Sequence, residues 1–359
     1  MDLLSMASHL LFLLFLAIPL SVLLLLAFLV RPRPVRIPLK GRHVLVTGGS
    51  SGIGLALARA AADEGARISI LARDAGRLAS AVGAIRVATG VEAVALSADV
   101  RDPAAVADAL SGAGPVDILI CNQGVYVPQE LEAQDLIVIK FTVDVNLMGT
   151  FHLIKAVLPA MKRRARETGV PASIAIMSSQ AGQVGVYGYT AYSASKFALR
   201  GLAEALQHEV IADNIHLSLI FPSDTQTPGF AEEKKRRPEL TNLIAESSVG
   251  MKPEDVAKIA LNGIKNGDFF VPCNFEGAVL AIATSGLSPQ RSYLMAFIEV
   301  FGAGLVRFIV LCFQWNWFNT IEKWHAKKNS KLHKGCSLFD LCRSHGICDK
   351  RQVIISLAC

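Results

Sequence analysis

The sequence predicts an α/β fold: a doubly wound parallel sheet with helices on both faces, set between membrane-seeking ends. Three observations predict it. Between residues 41 and 275, short β-branched runs alternate with longer helical patterns, the mark of repeated βαβ units. A glycine-rich turn, VTGGSSGIG, leads from the first such run into the first helical pattern. Long apolar stretches lie on either side, 10–30 without any charge and 293–313 with only Glu299 and Arg307.

Taken in order, residues 10–30 are interrupted only by Pro19 and Ser21 and are long enough to cross a bilayer core of about 30 Å as a helix. A cleaved leader would start basic, have a shorter apolar core and end at small residues. Here Asp2 is the only charge before the run, while Arg31, Arg33, Arg36, Lys40 and Arg42 follow it. The expectation is a retained transmembrane anchor at 1–30, a basic juxtamembrane linker at 31–40 and, by the positive-inside rule, a cytosolic main domain at 41–275. Strands are expected at 43–47, 67–72, 92–97, 116–121, 173–178, 215–221 and 268–272, with helices among the gaps at 53–64, 135–165 and 190–212.

Beyond the domain, 277–287 is apolar but too short to span alone. The longer 293–313 stretch fits a span, half of a re-entrant pair or an interfacial helix. Residues 276–315 are therefore read as a hydrophobic membrane-associated segment, and 316–359 as a basic, Cys-containing cytosolic tail. The 359 residues, 52% hydrophobic with a net charge of +6, suit one large domain plus membrane segments. Cys121, Cys273 and Cys312 are isolated, and the spacing of Cys336, Cys342, Cys348 and Cys359 is not that of a zinc site. Reduced thiols are expected, with neither a metal nor a nucleic-acid partner.

The turn after the first strand places Gly48, Gly52 and Gly54 where glycines permit a tight bend and let backbone approach a pyrophosphate at a helix N-terminus. The second strand ends on Ala72 and Arg73, with Arg77 one helical turn on. An acid there would bind an adenine ribose hydroxyl, whereas arginine accommodates a 2′-phosphate, so the reading is NADP(H), although Asp74 stands alongside. In TAYSASKFALRG, Tyr192 and Lys196 are helix neighbours at i and i+4. An ammonium there would pull the phenol pKa down from about 10 and make it a usable proton donor.

These motifs, together with ADV at 98–100, VNLMG at 145–149, SSQAG at 178–182 and YSASK at 192–196, resemble the short-chain dehydrogenase/reductase family over about 41–275. The resemblance implies a Rossmann-type fold and a catalytic tetrad of Asn146, Ser179, Tyr192 and Lys196. It also implies NADPH contacts from Gly48, Ser50, Ser51, Gly52, Ile53, Gly54, Arg73, Arg77, Asp99 and Asn122, with Tyr192 and Lys196 joining at the nicotinamide end. Ser179 would hold a carbonyl oxygen while Tyr192 protonates it, Lys196 would bind the nicotinamide ribose, and Asn146 would hold a relay water. One departure is CNQG at 121–124, where Gln123 replaces a small residue beside the cofactor.

The run from SSQAGQVGVYGY to the helix's end, with DTQTPGFAEE after it, is similar to the family's membrane-anchored members that reduce long-chain keto sphingoid bases. That likeness implies a keto sphingoid base as substrate, membrane lipid as surroundings, the endoplasmic reticulum membrane as location and a cytosol-facing site. Residues 223–247 would form a flap over the lipid, and their EEKKRR run would meet the membrane surface or lie solvated. A membrane-bound steroid or retinoid dehydrogenase and a silent NADP-binding scaffold are the alternatives, and a homo-oligomer is left open.

Overall fold

The chain was analysed as a computed structural model that describes residues 3–30, 35–244 and 250–344. It divides into a body ending at Arg307 and a second unit from Phe308, whose described residues are helical. A helix, α1 (Leu3–Val30), covers the first apolar stretch. Then β1 (His43–Thr47), α2 (Gly52–Asp63), β2 (Arg67–Ala72), α3 (Ala75–Thr89), β3 (Val94–Ser97), α4 (Pro103–Ser111) and β4 (Ile118–Cys121) form the first half of the sheet domain. The second half holds α5 (Leu136–Val143), α6 (Gly149–Thr168), β5 (Ala172–Met177), α7 (Thr190–Val210), β6 (Ile215–Phe221), α8 (Pro228–Lys234), α9 (Glu239–Ile244), α10 (Pro253–Asn266) and β7 (Phe270–Pro272). The helices α11 (Phe275–Ala283) and α12 (Tyr293–Ser344) follow.

All described strands pair in parallel in the order β3-β2-β1-β4-β5-β6-β7. The chain winds outward from β1 in one direction and from β4 in the other, so a crevice opens beyond the carboxyl ends of β1 and β4, where such sheets bind ligands. Side chains alternate along each strand, and in the central strands β1, β4, β5 and β6 both faces are buried, while the edge strand β3 is largely exposed. Val44, Val46, Ile118 and Ile120 pack with Leu57 of α2, Leu78 of α3 and Leu261 of α10 in one core layer that includes Cys273. Leu45, Leu119 and Cys121 join Val106 of α4, Leu153 of α6 and Leu199 of α7 in the other. Both cysteines are free and buried.

The structure departs from expectation at three places. Strands β3, β4 and β7 begin two residues later than expected: before each lies one acidic residue and one buried apolar residue, Ala93, Val116 or Phe269, which reads as strand without joining the ladder. The helix expected over 135–165 is broken into α5 and α6 by a π-helical turn at Asp144–Met148. One inserted residue scarcely disturbs an apolar periodicity, so the break leaves no sequence trace. In the expected linker 31–40, residues 31–34 lie outside the described residues, while Ile37 and Leu39 are buried in the core and the Ile37 N–H donates to Lys265 O at 2.8 Å. Within the expected tail 316–359, helix α12 continues as far as Ser344.

Arg42, counted above among flanking charges, is buried under the sheet instead. Asp117, whose side chain is fully buried, accepts from the His43 backbone N–H at 2.9 Å and pairs with Arg42 at 3.2 Å and Arg164 at 2.5 Å. Removing one member of such a cluster strands the others in low dielectric. Asp117→Ala should lower unfolding free energy by about 3–5 kcal/mol, measured by equilibrium denaturation, and an unchanged midpoint would contradict this account.

Candidate active site

At the carboxyl end of β1 the chain turns through Gly48 at φ +62° and Gly52 at φ +54°, in the left-handed region that favours glycine. Gly54 is required for a different reason. A Cβ there would lie 2.2 Å from Gly48 O and 2.6 Å from Asn122 Nδ2. The Thr47 hydroxyl accepts from Asn122 N at 3.0 Å, and Asn122 Nδ2 donates to Thr47 O at 3.1 Å and Gly48 O at 3.4 Å. These bonds clamp the turn to the end of β4. Ser51 precedes α2 in extended conformation without capping it through its side chain, and half-buried Ser50 and Ile53 flank the bend. A helix N-terminus whose first-turn donors face a glycine cradle suits a phosphate, so these residues fit a dinucleotide.

At the end of β2, Asp74 accepts from Arg77 N at 2.9 Å and so caps α3. Arg73 and Arg77 are exposed. Asp99, after β3, is held by Arg101 at 2.7 Å, which with help from Arg73 keeps its carboxyl below the usual range.

The catalytic candidates converge where β5 and α7 meet. Ser179 accepts from Ala181 N at 3.1 Å, capping a 3₁₀ turn at Gln180–Gly182, and its hydroxyl hydrogen-bonds Tyr192. Ser178 is buried and donates to Lys196 O at 3.1 Å, a structural bond that leaves Ser179 as the serine at the phenol. Lys196 is 3% exposed, donates to Met177 O at 2.8 Å and lies 5.6 Å from the centre of the Tyr192 ring. Burial pulls its ammonium down to about 8.

The expected pull of Lys196 on the phenol is corrected here. Burial pushes Tyr192 above the ordinary phenol range, and the opposing hydrogen bond comes from Ser179. The i, i+4 spacing foretold the proximity, while the depth of both groups decides the sign. Asn146 lies in the π turn, fully buried. Its Nδ2 donates to Val125 O and to Ser195 Oγ, both at 2.9 Å, and its Oδ1 accepts from Val125 N at 2.8 Å. Both amide hydrogens are thus committed to protein, and the side chain acts as a brace between the loop after β4 and α7 rather than as a donor to a relay water.

Gln123 finds room without disturbing the crevice. It accepts from the Thr47 hydroxyl at 2.5 Å and donates to Thr150 Oγ at 2.9 Å. Sequence reasoning missed two tyrosines. Tyr126 and Tyr189 pack edge-on against Tyr192 at 5.8 and 5.9 Å, and no spacing pattern marks either. Burial pushes the Tyr126 phenol up to about 12.

The segment after β6 covers this group, though residues 245–247 of the expected flap lie outside the described residues. Tyr126 hydrogen-bonds Thr227, and a Cβ on Gly52 would meet Thr227 at 2.9 Å. The EEKKRR run divides: Glu232, Lys234, Lys235 and Arg236 are exposed, with Lys235 paired to Glu232 at 2.6 Å, while Glu233 and the next arginine, Arg237, turn inward.

A family model for short chain dehydrogenases matches residues 42–238. Two 3-dehydrosphinganine reductases of Arabidopsis thaliana are similar along most of their length. One is 58% identical over 326 residues, covering 90% of this chain and 98% of its own. The other is 61% identical over 300 residues, covering 84% and 91%. A solved short chain dehydrogenase/reductase from Burkholderia phymatum, in complex with NAD, is similar with a TM-score of 0.60 at 26% identity, covering 71% of this chain and 98% of that one.

The buried pair gives stability a pH dependence. Lys196 titrates near 8 when folded and near 10.4 when unfolded, so between those values the unfolded chain holds more protons and rising pH favours the fold. The raised Tyr192 phenol works oppositely only above about pH 10. Lys196→Met should flatten the rise measured between pH 8 and 10 by denaturant unfolding. An identical slope in the variant would show that Lys196 is not buried in its charged form.

Proposed function

The chain belongs to the short-chain dehydrogenase/reductase family, and from that premise we propose that it is a membrane-bound, NADPH-dependent reductase converting 3-ketodihydrosphingosine to dihydrosphingosine. The observation that carries this reading is likeness to 3-dehydrosphinganine reductases at 58% and 61% identity over nearly the whole of each relative. A hydride-transfer domain alone would leave the substrate open.

Gly48, Ser50, Ser51, Gly52, Ile53, Gly54 and Asn122 would hold the dinucleotide along the crevice, with Asp99 at its adenine half. The choice of NADPH rests on Arg73 and Arg77, supported by the commitment of Asp74 to capping α3, which leaves the arginines as the groups suited to a 2′-phosphate. When bound, the nicotinamide supplies the hydride. Negative charge then gathers on the substrate oxygen. Ser179 donates a hydrogen bond to that oxygen and Tyr192, whose raised pKa keeps it protonated at neutral pH, delivers the proton. Lys196 holds the nicotinamide ribose, while Ser179 opposes the burial that raises the phenol pKa.

The long-chain base explains a membrane location. Each methylene of its tail favours the bilayer by about 0.8 kcal/mol, so an enzyme held at that surface meets substrate that water does not carry. Helix α1 is long enough to anchor the chain, and Tyr293–Lys328 is long and apolar enough to cross or line a membrane. Arg36 and Lys40, with Arg31 and Arg33 outside the described residues, favour a cytosolic domain at the endoplasmic reticulum, although Arg42 serves the fold.

The decisive experiment follows NADPH and NADH oxidation by the full-length chain in lipid nanodiscs with a ketosphinganine or a steroid ketone. Turnover of the ketosphinganine with NADPH is expected, and reduction of the steroid alone would refute the proposal. Tyr192→Phe should lower kcat by about 10²–10⁴-fold with cofactor affinity retained. Arg73→Asp should narrow the preference for NADPH over NADH. An unaltered preference would remove the arginine from cofactor selection.

A further inference from the structure

Arg237 follows α8 and lies with its side chain 7% exposed, although its sequence neighbours form a charged surface run. Its guanidinium donates to both oxygens of Asp224, at 3.1 and 3.2 Å, and to Glu233 at 2.8 and 3.0 Å. Nε also donates to the Tyr189 hydroxyl at 2.9 Å. Its Cζ lies 5.2 Å from the centre of the Phe230 ring and 5.7 Å from that of Tyr189. A planar, permanently charged fork suits this bidentate geometry, which lysine cannot reproduce. One side chain thus joins the loop after β6, helix α8 and the residue immediately before α7. Tyr189 is itself buried, and its ring packs against the Tyr192 ring.

We propose that Arg237 is a positioning residue for the reduction: it latches the segment after β6 onto the start of α7 and, through Tyr189, holds the Tyr192 phenol against Ser179. The inference rests on the assignment of Tyr192 as proton donor. It also supplies an electrostatic role. Asp224 acts on Tyr192, and Asp224 and Glu233 both act on Tyr126, each raising the phenol pKa, while Arg237 opposes them at Tyr126. The other groups facing Tyr192 are Ser179, Lys196, Tyr126 and Tyr189. Withdrawing the guanidinium leaves two carboxylates uncompensated beside the phenols, and that charge favours the protonated forms of both Tyr192 and Lys196.

Three full-length variants test the latch, each compared with wild type on the same ketone and with cofactor binding followed by fluorescence as the control for folding. Arg237→Gln should lower kcat by about ten- to a hundredfold, as for a misplaced reacting group, with cofactor affinity retained. The alkaline limb of its kcat profile should move to higher pH. Asp224→Asn added to Arg237→Gln removes the one of the two uncompensated carboxylates that acts on Tyr192, and should bring the limb back while recovering part of the rate. Tyr189→Phe cuts the link to α7 but leaves the charges in place, so it should lower kcat without moving the limb.

A wild-type rate in Arg237→Gln, or an equal loss at every pH that Asp224→Asn fails to relieve, would overturn the latch. If Arg237→Gln does not fold, Tyr189→Phe decides alone, and a wild-type kcat there overturns it. The wild-type rate on the amino ketone judges the proposed function, whereas the ratio of variant to wild type on whichever ketone is reduced judges the latch.

Discussion

A cation kept out of water organises the catalytic end of the sheet. The Lys196 ammonium is buried with Met177 O as its hydrogen-bond acceptor, and Met177 is the last residue of β5. Desolvation makes that position costly, so the surroundings must be held closely. Ser178 ties down the Lys196 carbonyl, and the turn that follows must be glycine at 182, since a Cβ there would lie 2.4 Å from Ser178 Oγ and 2.9 Å from Lys196 O. On the other side Asn146 reaches Ser195, one residue before the lysine. The serine, the phenol and the brace all take their places from the seating of this one helix turn.

A second polar path links the nucleotide turn to the same brace. Thr47 donates to Gln123, Gln123 to Thr150, and Thr150 to the Asn146 carbonyl at 2.8 Å. Each donor is buried and each has its partner, which is the condition under which buried polar groups stiffen a core rather than weaken it. A glutamine where the family usually has a small residue reads as an intrusion in sequence, yet in the fold its length spans β1 to α6. The cradle for the cofactor and the π turn bearing Asn146 are therefore joined through side chains, not only through the backbone.

The parallel sheet was legible because strands buried on both faces read as apolar runs between helical patterns, and the glycines at 48, 52 and 54 have steric reasons that fix their spacing. The meeting of Ser179, Tyr192 and Lys196 was legible in family motifs and helix spacing. What escaped depends on depth or on distant partners. Whether Lys196 lowers the phenol pKa is decided by burial that no spacing encodes. Arg42 and Arg237 read as surface charge because their carboxylate partners, Asp117 and Asp224, are remote in sequence or separated by a turn. Ile37 and Leu39 sit among prolines and basic residues, a composition that reads as a tether, and only the packing of α10 gives them a core to enter.

The two buried thiols fall on opposite sides of the sheet, Cys121 in the layer with α6 and α7 and Cys273 in the layer with α2 and α10. Burial pushes both thiols up, Cys273 to about 12, so neither is a ready nucleophile until its layer parts. The alkylation lag of each buried sulfur in the native chain, relative to the same sulfur in the denatured chain, therefore times the breathing of one layer separately from the other.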